Sequence, residues 1–177
     1  MEKMGLLGPT DESKRRPGDV SFPLWRYGRG LAIDVAVICP LAPSHMGEDE
    51  PCETYAKRQK HDLYDAAFKG SRYDFAAMVF ETSGAVNDEG RDILRQIIRF
   101  ASKRECMGNS SFAGRAWARV GCCIQTSVAQ AILNRDGGDR LNSYRVCSRL
   151  CTIIARRATV DCFHLSNVLG VTPPSSG

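Results

Sequence analysis

The stretch Leu31-Ala32-Ile33-Asp34-Val35-Ala36-Val37-Ile38-Cys39 decides how this chain is read. Every residue but one is apolar, and Val and Ile recur through it. A short apolar run of that kind predicts a strand buried on both faces of a sheet. Gly28-Arg29-Gly30 precedes it, and Pro40 and Pro43 end it. The exception is Asp34, in the middle of the run. Burying a lone carboxylate is costly, so Asp34 requires a partner or a cation.

Upstream of that strand, Arg16-Pro17-Gly18-Asp19 is a turn leading into Val20-Ser21-Phe22, a short strand that Pro23 is expected to break. Tyr27-Gly28-Arg29-Gly30 is a second turn. Downstream, the acidic loop Gly47 to Glu53 feeds a helix from Pro51 to Lys69, on which Tyr55, Arg58 and Asp62, and Lys57, Lys60, His61 and Tyr64, fall at helical spacing. Gly70 stops it, and Tyr73 to Thr82 predicts a second central strand followed by the Ser83-Gly84 turn. Val86-Asn87-Asp88-Glu89 is a helix start, with acidic groups suited to the helix dipole. The helix runs to Arg104 with Ile93, Leu94, Ile97, Ile98 and Ala101 as its apolar stripe. A further helix covers residues 111–134, with Ala116, Val120, Cys123, Ile124, Val128, Ala131 and Ile132 facing inward.

Strands alternating with helices after an opening hairpin predict an α/β (or α+β) layer: a small mixed sheet with flanking helices, followed by a helical C-terminal part. Residues 1–14 form a lead-in, 15–136 one domain whose helical part is 87–135, and 137–177 a poorly defined tail.

Charge and composition narrow the function classes. The chain of 177 residues carries 24 Lys and Arg against 20 Asp and Glu. Residues 71–177 hold fourteen basic and nine acidic groups, and eight basic groups against two acidic ones lie between Arg91 and Arg135. That asymmetry fits a partner with a phosphate backbone, and it equally fits a solvated helix face. No apolar run is long enough to span a bilayer, so no membrane partner is expected. The N-terminal residues lack the apolar core of a secretory signal, which predicts an intracellular chain. The eight Cys (39, 52, 106, 122, 123, 147, 151 and 162) contain no CxxC pair, so a structural zinc is not expected, and reduced thiols are the default. His45, His61 and His164 are scattered, and no phosphate-cradling glycine loop occurs.

The carboxylates carry the chemistry. Asp19 opens one strand, Asp34 interrupts the next, and Glu81 ends a third, with Lys57 and Lys60 on the intervening helix. Carboxylates on successive strands with a nearby lysine predict a divalent-metal site suited to phosphodiester hydrolysis. Bland readings stand beside this one. Asp19 serves equally as a turn residue, Asp34 as the ion-pair partner of Arg16 or Arg29, Glu81 as a turn cap, and the lysines as solvated charges.

Taken together, Arg16-Pro17-Gly18-Asp19-Val20, Gly30 to Val37, the helix with Lys57-Arg58-Gln59-Lys60 and Tyr64, and Phe80-Glu81-Thr82-Ser83-Gly84 resemble one family. It is the restriction-like endonuclease domain, of PD-(D/E)xK type, associated with the reverse transcriptase of non-LTR retrotransposons and their degenerate copies. The similarity covers residues 15–135. It implies a restriction-endonuclease-like fold and a metal-dependent DNA endonuclease that nicks target DNA to prime reverse transcription. The alternative is a catalytically dead nucleic-acid-binding or structural remnant of the same fold. Asp19 and Asp34 match the two acids that would ligate Mg²⁺ or Mn²⁺, with Glu81 as an additional ligand. The lysine position of the triplet is occupied by Ala36, a departure from the pattern. The resemblance therefore points to a lysine from the following helix, Lys60, with Lys57 beside it. Arg16, Tyr64, Arg91, Arg95, Arg99, Arg115 and Arg119 would contact DNA. Element RNA and an upstream reverse transcriptase domain are the other implied partners, and the nucleus is the implied location for action on genomic DNA.

Overall fold

The computed structural model describes residues 18–133. Arg16, and the cysteines and histidine beyond residue 140, lie outside the described residues, as does the tail 137–177. Three strands form one sheet in the order β1 (Val20–Arg26), β2 (Arg29–Ile38), β3 (Tyr73–Glu81). β1 and β2 are antiparallel, with Val20 opposite Ile33 and Phe22 opposite Leu31. β2 and β3 are parallel, with Asp34 opposite Ala77 and Ile38 opposite Glu81. The crossover between them is helical: α1 (Pro51–Tyr55), a π-helical turn (Ala56–His61) and α2 (Asp62–Phe68). Two longer helices follow, α3 (Asp88–Arg104) and α4 (Asn109–Leu133). The sheet is mixed and flanked by helices, as the alternating pattern predicts.

Strand alternation sorts the core into two layers. Leu31, Ile33 and Val35 of β2 and Ala76, Met78 and Phe80 of β3 face α3 and α4, meeting Ile93, Leu94, Ile97, Ile98, Phe112, Val120 and Ile124. Ala36, Ile38, Ala77 and Val79 face the crossover, meeting Cys52 and Ala56, while Ala32 meets Phe68. Ile33, Met78, Val79 and Phe80 are wholly buried, each worth about 1.5–3 kcal/mol of hydrophobic stabilisation. β2 is therefore covered on both faces, which is why its sequence is almost continuously apolar.

Local expectations are corrected in two places, at Pro23 and in α4. Pro23 does not end β1; the strand continues to Arg26, with its pairing to β2 irregular between Phe22 and Arg26. β1 is an edge strand, so a residue without an N–H is tolerated there. In α4, Val120 and Ile124 are buried, but Ala131 and Ile132 are exposed, because the helix runs beyond the core it packs on. Asn87 precedes α3, yet its side chain makes no capping bond to the helix. It closes the free edge of β3 instead: Val79 N–H donates to its Oδ1 at 2.9 Å, and its Nδ2 donates to the Ala77 carbonyl at 2.9 Å. The Asn87 N–H completes the bridge, donating to the Val79 carbonyl at 3.1 Å.

Candidate active site

Asp19 and Asp34 meet where β1 begins. The Asp19 N–H donates to the Ile33 carbonyl at 2.8 Å, and its Oδ2 accepts the Val35 N–H at 2.8 Å. The carboxylate thus continues the β1–β2 ladder in place of a main-chain carbonyl. That geometry fixes Asp19 beside Asp34, the neighbour that hydrogen-bonds to it. Asp34 lies on the crossover face of β2, by alternation with Ala32 and Ala36.

Lys60 reaches Asp34 from the crossover. Its Nζ lies 2.6 Å from Asp34 Oδ2, and both side chains are mostly buried. The π-helical turn brings it there. The Asp62 N–H bonds to the Lys57 carbonyl, five residues back, so the crossover helix carries extra backbone where Lys60 projects. Such single π turns inside α-helices recur at functional sites. Lys60 Nζ also stands 5.9 Å from the centre of the Tyr55 ring.

The electrostatics follow from this crowding. Burial pushes the Asp19 carboxyl up to about 6; the Val35 N–H opposes that rise, the neighbouring Asp34 adds to it, and Lys60 offsets part of it. Burial pulls the Lys60 ammonium down, but the hydrogen bond and charge of Asp34 outweigh it and the net shift is upward, with Tyr55 and Tyr64 adding to the rise. Above about pH 6, once Asp19 has lost its proton, two carboxylates and one ammonium leave the cluster one negative charge in excess.

The remaining expected residues are placed differently. Lys57 is exposed one turn before Lys60, so the geometry selects Lys60 as the lysine at the acids. Tyr64 is half-buried, its ring packed on Phe75 at 5.4 Å. Glu81 does not join the acid pair. It sits opposite Ile38, four residues beyond Asp34, about 13 Å along the strand. There it accepts a bond from Ser83 Oγ at 2.6 Å and lies beside Cys52, whose thiol is pushed up to about 12 by burial and by the charges of Glu81 and Glu53. Among the described residues, no three His, Cys, Asp or Glu side chains converge on a common point. Arg29 pairs with Asp74 at 2.7 Å, so Asp34 is not its partner.

The arginines lie across the sheet from the acids, on the two helices packed against its other face. Arg91 is bound to Asp88 at 2.6 Å and to the Val86 carbonyl at 3.0 Å, and Arg95 pairs with Asp92 at 3.2 Å. Arg99 is exposed on α3. Arg115 donates to Met107 Sδ, and with Arg119 it borders a cavity of about 250 Å³ between α3 and α4. Helical periodicity located these arginines on their helices but carried no information on which sheet face each helix covers.

His61 is the one histidine that the sequence puts near the acids; its partners, from α2 and α3, are not legible there. Its Nδ1 lies 2.9 Å from Asp65 Oδ1 and its Nε2 2.9 Å from Glu89 Oε2. Comparison with protein-family models, curated proteins and solved structures finds no match to this chain. Among the described residues, no helix is long and apolar enough to cross a membrane.

Proposed function

We propose that this chain is a metal-dependent DNA endonuclease domain of the restriction-like kind associated with retrotransposon reverse transcriptases. One observation carries the reading: Asp19, Asp34 and Lys60, drawn from two strands and the crossover helix, converge although they are far apart in sequence. Lys60 also answers the missing lysine of the triplet, since it occupies the neighbourhood of Asp34 that Ala36 leaves without a cation.

The donor set fits Mg²⁺ or Mn²⁺. Both acids are hard oxygen donors, the cluster has a negative charge to spare, and Mg²⁺ is commonly held by one or two carboxylates together with water and substrate phosphate. When bound, the cation supplies Lewis-acid polarisation of the scissile phosphodiester and stabilises charge developing on it. Asp19 and Asp34 would hold it. Lys60, held beside Asp34, would present its ammonium to the attacking water or to a phosphate oxygen. Water adds to phosphorus while the bond to the 3′ oxygen breaks and that oxygen takes a proton, leaving the 3′-hydroxyl that priming requires. Lys57, Arg58 and Tyr64, on the same crossover element, are the groups placed to meet the DNA backbone. Arg91, Arg95, Arg99, Arg115 and Arg119 add a positive field from the far face and touch only DNA that bends around the sheet edge.

Nicking of supercoiled plasmid tests the reading. The native chain is expected to nick with Mg²⁺ or Mn²⁺ and not with EDTA, and Asp34→Ala is expected to abolish it. A folded native chain that binds DNA without nicking it in either metal would instead support a catalytically dead nucleic-acid-binding module.

A further inference from the structure

The π-helical turn is tied to the sheet at two successive residues. Lys60 is bound to Asp34 on β2. His61 is bound, through Nε2, to Glu89 Oε2 at 2.9 Å, and the same oxygen accepts the Ala77 N–H of β3 at 2.9 Å. Ala77 is the residue opposite Asp34 in the parallel ladder. The contacts therefore form a closed circuit: Lys60 to Asp34, across the ladder to Ala77, through Glu89 to His61, and back along the chain to Lys60. Asp65 holds the other ring nitrogen at 2.9 Å, and Phe75 of β3 packs edge-on against the ring at 5.5 Å.

We propose that His61 is a positioning residue that holds Lys60 against Asp34 by anchoring the π-helical turn to β3 through Glu89. A long lysine side chain has many rotamers, and an ion pair with its carboxylate recovers little if the backbone carrying it is free to move. Fixing the adjacent residue to the neighbouring strand removes that freedom, and keeps Lys60 in place when Asp34 turns to a cation. Burial disfavours the charged ring, but the bonds to Asp65 and Glu89 prevail and raise the His61 pKa. Both ring nitrogens face carboxylate oxygens, so the protonated ring can donate to each, in bonds stronger than neutral ones. Its catalytic purpose rests on the nuclease reading; its geometry does not.

Two measurements separate these. The first is competitive acetylation of the metal-free, DNA-free chain, read as the rate at Lys60 relative to the exposed Lys57. His61→Ala is expected to raise that ratio about tenfold and to speed amide exchange at Ala77 while Val35, held by Asp19, stays protected. Glu89→Gln, which keeps the bonding shape but loses charge, is expected to raise it about threefold and serves if the first variant does not fold. An unchanged ratio in a folded variant would overturn the proposal, whatever the chain does to DNA. The second is plasmid nicking in a double-mutant cycle. His61→Ala is expected to lower kcat about tenfold with KM within about twofold, and to cost nothing further once Lys60 is Ala. Losses that add in the double variant would show that His61 acts independently of Lys60 and would overturn it too.

Discussion

At the scale of single residues, the site stores repulsion. Asp19 and Asp34 are held side by side, and burial together with its neighbour lifts the Asp19 carboxyl from its ordinary value to about 6. A carboxyl whose folded pKa is raised contributes stability that is fully present below its unfolded value near 4 and is lost as pH rises through about 6. At pH 8 the metal-free chain therefore bears the full cost of the pair. Asp19→Asn keeps an oxygen for the Val35 N–H and removes the charge, so it is expected to stabilise the metal-free chain at pH 8 by about 1 kcal/mol, after allowing for its partial exposure to solvent. The gain should shrink as pH falls below 6 and vanish below about 4. Thermal melts across that range check it. The same variant is expected to lose nicking, which is the pattern of a group kept for chemistry at the expense of stability.

The element scale shows what a sequence does and does not display. β2, read as residues 31–39, spans Arg29–Ile38, and the crossover, read as one helix from Pro51 to Lys69, is helical from Pro51 to Phe68. The apolar stripe of α3 is buried in full. Those features are legible because burial on a fixed face writes a period into the sequence. The π turn is not, because one additional residue in a short, mostly polar helix leaves the apolar spacing nearly unchanged. Pro23 misleads for a similar reason: only the sheet order reveals that its strand is an edge. Asn87 looks like a helix cap, and its real partners are ten and eight residues away on β3. Asn87→Ala would strand a buried N–H and a carbonyl, with an expected cost of about 2–4 kcal/mol. Denaturant unfolding measures that loss, and the amide of Val79 should lose protection first, while that of Ala77 stays held by Glu89. A loss below about 0.5 kcal/mol would show that these bonds contribute little to stability.

Across the whole molecule, the sheet divides two kinds of surface. The acids, Lys60 and Tyr64 occupy the crossover face, and the arginines of α3 and α4 belong to the other. Sequence patterning shows the basic excess between residues 91 and 135 but not that a sheet separates it from the carboxylates, since charge counts carry no direction. Asp19 and Asp34 were legible as acids at strand positions, and Lys60 was legible through the resemblance; that Lys60 and not Lys57 reaches Asp34, and that Arg29 and Glu81 lie elsewhere, emerges from the parallel ladder and the π turn. On the nuclease reading, two consequences follow for DNA. Lys57→Glu and Arg58→Glu, on the site's own face, are each expected to raise the plasmid KM about threefold to tenfold at low salt, whereas Arg99→Glu should raise it less than twofold. Equal effects from both faces would mean that DNA wraps the sheet edge.

The three-residue convergence is tested most directly by comparing nicking rates of the native chain, Lys60→Ala and Lys57→Ala in one Mg²⁺ assay, with melting curves to verify folding. The account predicts that Lys60→Ala lowers kcat by about a hundredfold or more, while Lys57→Ala keeps kcat within about threefold of native. Native-like nicking by a folded Lys60→Ala variant would contradict it, and would leave the Lys60–Asp34 contact a structural ion pair.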